Sequence, residues 1–161
     1  MPSDYYLKID GIKGESKAEG MSDYIELESF SFGASNPADV KGGGLAAGRA
    51  SLSDFSFTCS LDAASPFILK DLYTGKHIGS CIFVGRKTGG NAKPEKYLEV
   101  TMTSCFMTAH SVGGGAQGIP SQSVSLAYEQ IKYEYFTQNT KTGGMTSAGV
   151  ATYDVAKVQQ S

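Results

Sequence analysis

Ser121 to Phe136 reads Ser-Gln-Ser-Val-Ser-Leu-Ala-Tyr-Glu-Gln-Ile-Lys-Tyr-Glu-Tyr-Phe, and its pattern decides the fold class. Val124, Leu126 and Tyr128 hold even positions, whereas Ile131, Tyr133 and Tyr135 hold odd ones. Alternation with a period of two marks a strand with one buried face. A change of parity within it requires a bulge or a bend if that face is to stay inward. Three more runs change parity: Ile25 and Leu27 against Phe30 and Phe32, Ala50 and Leu52 against Phe55, Phe57 and Cys59, and Leu98, Val100 and Met102 against Cys105 and Met107. Four such changes in one chain predict long, sharply bent strands around a small core. That describes a mainly β fold, a closed or nearly closed antiparallel β-barrel.

The remaining strand-like runs are Tyr5 to Ile9, Ser80 to Arg86 and Gly149 to Val155, separated by clusters such as Gly89-Gly90-Asn91 and Gly113-Gly114-Gly115. Such punctuation suits an all-β topology. One helix is predicted over 65–75. Ser65 would supply an N-cap oxygen, and Pro66 has its φ preset for the first turn. Phe67, Ile68, Leu69 and Leu72 form the apolar stripe, and Gly75 closes the helix in a left-handed conformation. The 161 residues are read as a single domain, 1–161, large enough to fold without a metal or disulfide.

Sixteen acidic and fourteen basic residues leave a net charge of -2, so no basic excess is present to neutralise phosphates or anionic lipid. Neither nucleic acid nor membrane insertion is expected, and no apolar run reaches the roughly 20 residues of a spanning helix. Cys59, Cys81 and Cys105 are odd in number, lack C-x-x-C spacing and lie in strand-like runs. They read as small buried hydrophobes in a reducing compartment. The start, Met1-Pro2-Ser3-Asp4-Tyr5-Tyr6, lacks the basic and apolar regions of a secretory signal.

Outward strand positions carry hydroxyls rather than charge: Ser29, Ser31, Ser53, Ser56, Thr58, Thr101, Thr103, Ser123 and Ser125. This is either a plain polar sheet face or one that lines a neutral cavity or meets another subunit. The segment 33–48, Gly-Ala-Ser-Asn-Pro-Ala-Asp-Val-Lys-Gly-Gly-Gly-Leu-Ala-Ala-Gly, is long for a connection in a compact domain. It is no Walker A loop, because Arg49-Ala50 follows Gly48 where Lys-Ser/Thr would be needed, and no Rossmann turn, because a strand follows it. A surface loop and an arm docking on a neighbouring subunit both fit, with Val40 and Leu45 as its apolar contacts.

Several segments, in order, resemble the haemolysin-coregulated protein family of type VI secretion. They are Lys8-Ile9-Asp10-Gly11-Ile12-Lys13-Gly14-Glu15-Ser16, Phe30-Ser31-Phe32-Gly33, Ala47-Gly48-Arg49, Asp54-Phe55-Ser56-Phe57-Thr58, Leu61-Asp62-Ala63-Ala64-Ser65-Pro66, Gly75-Lys76-His77-Ile78 and Leu126-Ala127-Tyr128-Glu129-Gln130-Ile131. The resemblance covers nearly the whole chain. It implies a barrel of two sheets with one flanking helix, and a homohexameric ring that stacks into a tube expelled by a contracting sheath. By the same resemblance the ring-stacking arm comprises Asn36, Pro37, Asp39, Val40, Lys41, Gly42, Gly43, Gly44, Leu45, Ala46 and Ala47, and Ser31 faces the lumen, where effectors pass. The partners implied are further copies, effectors, sheath, spike and baseplate proteins. The protein would be assembled in the cytoplasm and released through the secretion machine. Many relatives carry Trp near Phe30 and Phe32, whereas this chain has none. No toxin domain is expected after the barrel.

Catalysis is not expected. The two histidines, His77 and His110, form no metal-ligand or triad spacing, and the carboxylates read as pairs are Glu26/Glu28 and Glu129/Glu134. Glu26 and Glu28 read as a solvated or salt-bridged strand face. No cofactor is expected. The competing readings are a phage tail-tube protein and a monomeric barrel that binds a small ligand.

Overall fold

The computed structural model describes residues 3–39, 46–47, 50–88, 93–138, 144–155 and 159–160. The elements run β1 (Ser3–Ile9), β2 (Ile25–Leu27), β3 (Ser29–Ser31), β4 (Ala34–Ser35), β5 (Ala38–Asp39), β6 (Ala46–Ala47), β7 (Ser51–Leu52) and β8 (Phe55–Ser60). After α1 (Ser65–Thr74) come β9 (Ile78–Thr88), β10 (Pro94–Gly113), β11 (Ser121–Gln138), β12 (Met145–Asp154) and β13 (Gln159–Gln160).

All described pairings are antiparallel, and they close on themselves. β1 pairs with β9 and β2, β9 with β10, β10 with β11, β11 with β8, and β8 with β3. β2 and β3 are one strand interrupted at Glu28, so the ladder returns to its start. Closure leaves no open edge in this part of the sheet.

The parity changes divide into two kinds. Those at Glu28 and at Ser53-Asp54 are strand breaks, between β2 and β3 and between β7 and β8. The other two are a single bend on paired strands. Thr103 pairs with Gln130 and Cys105 with Tyr128, which sets Ser104 across from Glu129. Ser104 has a φ of 56° there. Along its other edge β11 pairs β8 over Ser121 to Leu126, then β12 from Gln130 onward. The strand changes partner where its pattern changes parity. Register shifts lie elsewhere, between Lys96 and Leu98, Met107 and Ala109, and Tyr135 and Phe136.

The core is filled from every wall. Leu7, Ile25, Phe57, Val100, Met102 and Leu126 are all buried. Phe55 sits in an aromatic stack, 5.4 Å from Phe83, 5.7 Å from Phe32 and 6.2 Å from both Phe30 and Phe57. Burying each such ring contributes about 1.5–3 kcal/mol. Phe30 and Phe32 therefore turn toward this stack, away from the hydroxyl side of β3. Gly14 is required by close approach, since a Cβ there would lie 2.4 Å from the Tyr24 carbonyl oxygen.

The helix differs in detail from its sequence reading. Gly75 does close it, at φ 63°, and Lys76 N–H donates to the Asp71 carbonyl. Ser65 is not its cap: the cap position is Ala64, without a side-chain bond. Asp62 Oδ1 instead accepts from Ala64 N–H at 3.0 Å. The Ser65 hydroxyl accepts from Asp62 N–H and from the buried Gln122 amide at 2.8 Å. A buried amide without an acceptor costs about 1–3 kcal/mol, and that need claims the serine oxygen. Ala64, Ile68 and Asp71 are buried, while Phe67, expected in the apolar stripe, is exposed.

Candidate assembly surfaces

The long loop is a paired arm. Its base is a ladder of Ala34 with Leu52 and Ser35 with Ser51. A second ladder joins Ala38 to Ala47 and Asp39 to Ala46. The segment thus leaves the barrel as a two-stranded ribbon rather than as an unstructured connection. Asn36 and Pro37 are exposed on it. Asp39, Ala46 and Ala47 lie in the ladder, and Val40, Lys41, Gly42, Gly43, Gly44 and Leu45 lie outside the described residues.

Six of the nine hydroxyl positions, Ser29, Ser31, Ser56, Thr58, Ser123 and Ser125, form one continuous outer face, whereas Thr101 and Thr103 pair with Lys132 and Gln130 beyond the bend and Ser53 lies between β7 and β8. Ser31 pairs with Ser56, Ser56 with Ser125, and Ser125 with Ala109. The next row runs Ser29, Thr58, Ser123 and Ser111. Ser56 and Ser125 share a hydrogen bond at 2.9 Å, and Ser29 bonds Thr58 across the strands. Carboxylates stand at the borders: Glu28 accepts from Ser60 at 3.0 Å and Asp54 from Thr108 at 2.7 Å. Ser31 is exposed on this face, as its strand parity indicated. The chemistry is that of a neutral, hydroxyl-lined surface, able to exchange hydrogen bonds without committing to a charge.

Beyond the Ser104 bend, β10, β11 and β12 continue away from β8. Thr146 to Ala151 of β12 are exposed at odd and even positions alike, so both faces of the strand meet solvent. Tyr133 and Tyr135, expected inward, are 38% and 40% exposed. The reason is topological: with β8 left behind, no opposite wall covers this half of β11. Tyr133 retains a ring contact with Phe32 at 6.1 Å, and Tyr135 one with Tyr97 at 6.2 Å.

The residues weighed for chemistry are dispersed. His110 Nε2 shares a 2.9 Å hydrogen bond with Gln122 Oε1, and His77 is exposed after α1. Glu26 and Glu28 are both exposed, and Glu134 accepts from Ser147 at 2.8 Å. All three cysteines are buried free thiols. Burial pushes the Cys59 thiol up to about 11, and a hydrogen bond with Cys105, then burial, push Cys81 up. Among the described residues, no group of three or more His, Cys, Asp or Glu could hold a metal ion, and no helix is long and apolar enough to cross a membrane. Gln122, which ties helix to barrel, carried no sequence signal beyond its even position among Val124, Leu126 and Tyr128.

A closed barrel with an outlying ribbon, a hydroxyl face and an edge strand bare on both sides is a protein that acts through surfaces. Residues 6–135 match the family described as type VI secretion system effector, Hcp, and the chain belongs to that family. It is 31% identical to the Pseudomonas aeruginosa protein hcp1 over 155 residues, covering 95% of this chain and 94% of that one. Hcp1 from Salmonella typhimurium superposes with a TM-score of 0.78 at 31% identity, over the whole of both chains. A structure of a type six secretion system protein gives a TM-score of 0.91 at 22% identity, over 99% of this chain and all of that one, and so shares the fold.

Proposed function

We propose that this type VI secretion protein is the subunit of the inner tube. Six copies close a ring, rings stack, and sheath contraction expels the tube with effectors in its lumen. The observation that carries this reading is β12, exposed on both faces from Thr146 to Ala151, with the adjoining half of β11, where no residue from Glu129 to Gln138 is buried. A pair of strands in water on two sides gains little from burial, and a neighbouring copy would supply the missing wall. A ring interface is heterologous, so this surface meets a different patch of the next subunit.

In this reading Ser31 and the hydroxyl rows line the lumen. A neutral lining suits passage of varied effectors, because no buried charge has to be matched. The arm, from Asn36 to Ala47, reaches the next ring. Ordering an arm costs roughly 1–2 kcal/mol of backbone entropy per residue, so stacking is weaker than ring closure. Sheath, spike and baseplate proteins are the further partners, and the protein leaves the cell through the machine it builds.

Light scattering with negative-stain imaging tests this. Six chains of 17.0 kDa give a ring of about 102 kDa, expected as hollow particles. A monomer that persists at high concentration would refute the reading and favour a ligand-binding barrel.

A further inference from the structure

Tyr6 and Leu7 are both buried, and so are Phe83, Val84, Gly85 and Arg86. Side chains alternate faces along a strand, so β1 and β9 are covered here on both sides. The core covers one. On the other face Tyr6 pairs with Val84 and Asp4 with Arg86, and residues 16–23 fold over them as a strap. Its base is held by backbone bonds: Ser16 N–H donates to the Tyr24 carbonyl and Asp23 N–H to the Ser16 carbonyl, each at 3.0 Å. Its tip is held by Arg86, whose Nη1 donates to the Glu19 carbonyl at 2.7 Å.

A buried charge is ordinarily paired. The Arg86 guanidinium instead lies 4.8 Å over the Tyr6 ring, with Nη2 3.4 Å from the Tyr6 hydroxyl. Among the described residues its Nε, though buried, has no hydrogen-bond partner. A carboxylate stands directly opposite on the next strand. Asp4 is exposed, and among the described residues it forms no ion pair. Side chains so placed have Cβ atoms about 5 Å apart. Beside them is an open groove of about 210 Å³, lined by Ser3, Asp4, Tyr6 and Glu26 among others, into which the guanidinium can turn.

We infer that Arg86 is a two-position latch. In one position it holds the Glu19 carbonyl and the strap lies closed. In the other it pairs with the Asp4 carboxylate and the tip is released, which uncovers Tyr6 and Val84. A bond to a carboxylate is stronger than one to a neutral carbonyl, and the closed position leaves Nε unpaired. Closure keeps the ring contact and the cover over Tyr6 and Val84. These opposing terms make the strap bistable. Asp4 sets the balance: a cation brought to it by another molecule removes the competing partner and shuts the strap.

Hydrogen exchange of the intact protein, read by mass spectrometry on peptides covering 16–24, tests the latch. The Met21 and Asp23 amides are bonded within the strap, so their exchange follows the open population. Asp4→Asn removes the second position and is expected to slow exchange at least threefold. Arg86→Met removes the hold on Glu19 and is expected to speed it at least tenfold. Asp10→Asn, just past the other end of β1, is the control and is expected to change nothing. Exchange in Asp4→Asn at the unmodified rate or faster overturns the inference. Equal slowing in Asp10→Asn does so too, because it would mark a general effect of charge. Exchange no faster in Arg86→Met shows that Arg86 holds nothing and likewise overturns it. If Arg86→Met fails to fold, the comparison of Asp4→Asn with Asp10→Asn decides.

Discussion

Ser104, at φ 56°, stands across from Glu129 at the point where β11 passes from β8 to β12. Left-handed backbone is costly for a residue with a Cβ, and most costly when that Cβ is branched. Ser104→Gly is expected to be neutral or stabilising by up to about 1 kcal/mol, and Ser104→Ile to destabilise by about 1–3 kcal/mol. Urea unfolding of the two variants checks this, and equal midpoints would show that the bend is not strained.

Gln122 bonds Ser65, His110 and the Cys59 sulfur from a fully buried position. Gln122→Ala removes three contacts and opens a cavity where helix meets barrel. The expected loss is about 2–4 kcal/mol, seen as a lower thermal midpoint. Ser65→Ala is expected to cost less, about 1–2 kcal/mol, because the larger side chain stays in place.

Phe55 is the hub of the aromatic stack, and Phe106 is an outward ring of β10 that is 47% exposed. Phe55→Ala is expected to lose about 3–5 kcal/mol, and Phe106→Ala under about 1 kcal/mol in the monomer. If Phe106 lies in a subunit contact, its variant lowers ring stability at low concentration without changing the monomer.

Burial, with some repulsion from Asp54, raises the Tyr128 hydroxyl to about 12, and burial raises the Cys59 thiol to about 11. Both shifts favour the protonated fold. Their contribution is complete below the ordinary values of 9.0 and 10.0, and falls as pH rises to about 11 and 12. The slope is at most about 1.4 kcal/mol per pH unit for each group. Stability measured from pH 8 to 12 is expected to fall, and Tyr128→Phe is expected to flatten the upper part. Tyr128→Phe also loses the 2.9 Å bond to the Ser53 carbonyl, so its curve starts lower.

Deleting residues 36–47 is expected to abolish ring stacking and leave rings intact, as read by sedimentation and imaging. Loss of the rings themselves would place the arm within the ring contact instead.

The alternation of Val124, Leu126 and Tyr128, the Pro66 and Gly75 signals and the glycine clusters fixed strand, helix and turn from the sequence alone. Such signals are local, set by which face a side chain takes and which φ a residue tolerates. Burial of the three cysteines was legible for the same reason. Sequence also isolated the arm and the hydroxyl positions, since unusual length and missing charge are visible without coordinates.

Partner choice was not legible. Four parity changes looked like four bends, yet two are breaks and two are one bend shared by paired strands. Only the ladder tells these apart, because it depends on which strand lies alongside. The same is true of Tyr133 and Tyr135, whose alternation predicts burial that no opposite wall provides. Ser65 was drawn from capping by Gln122, a residue 57 positions away in the chain. Sequence determined what each segment prefers by itself; tertiary structure decided which preferences were met, because burial and hydrogen bonding are shared between residues that meet only on folding.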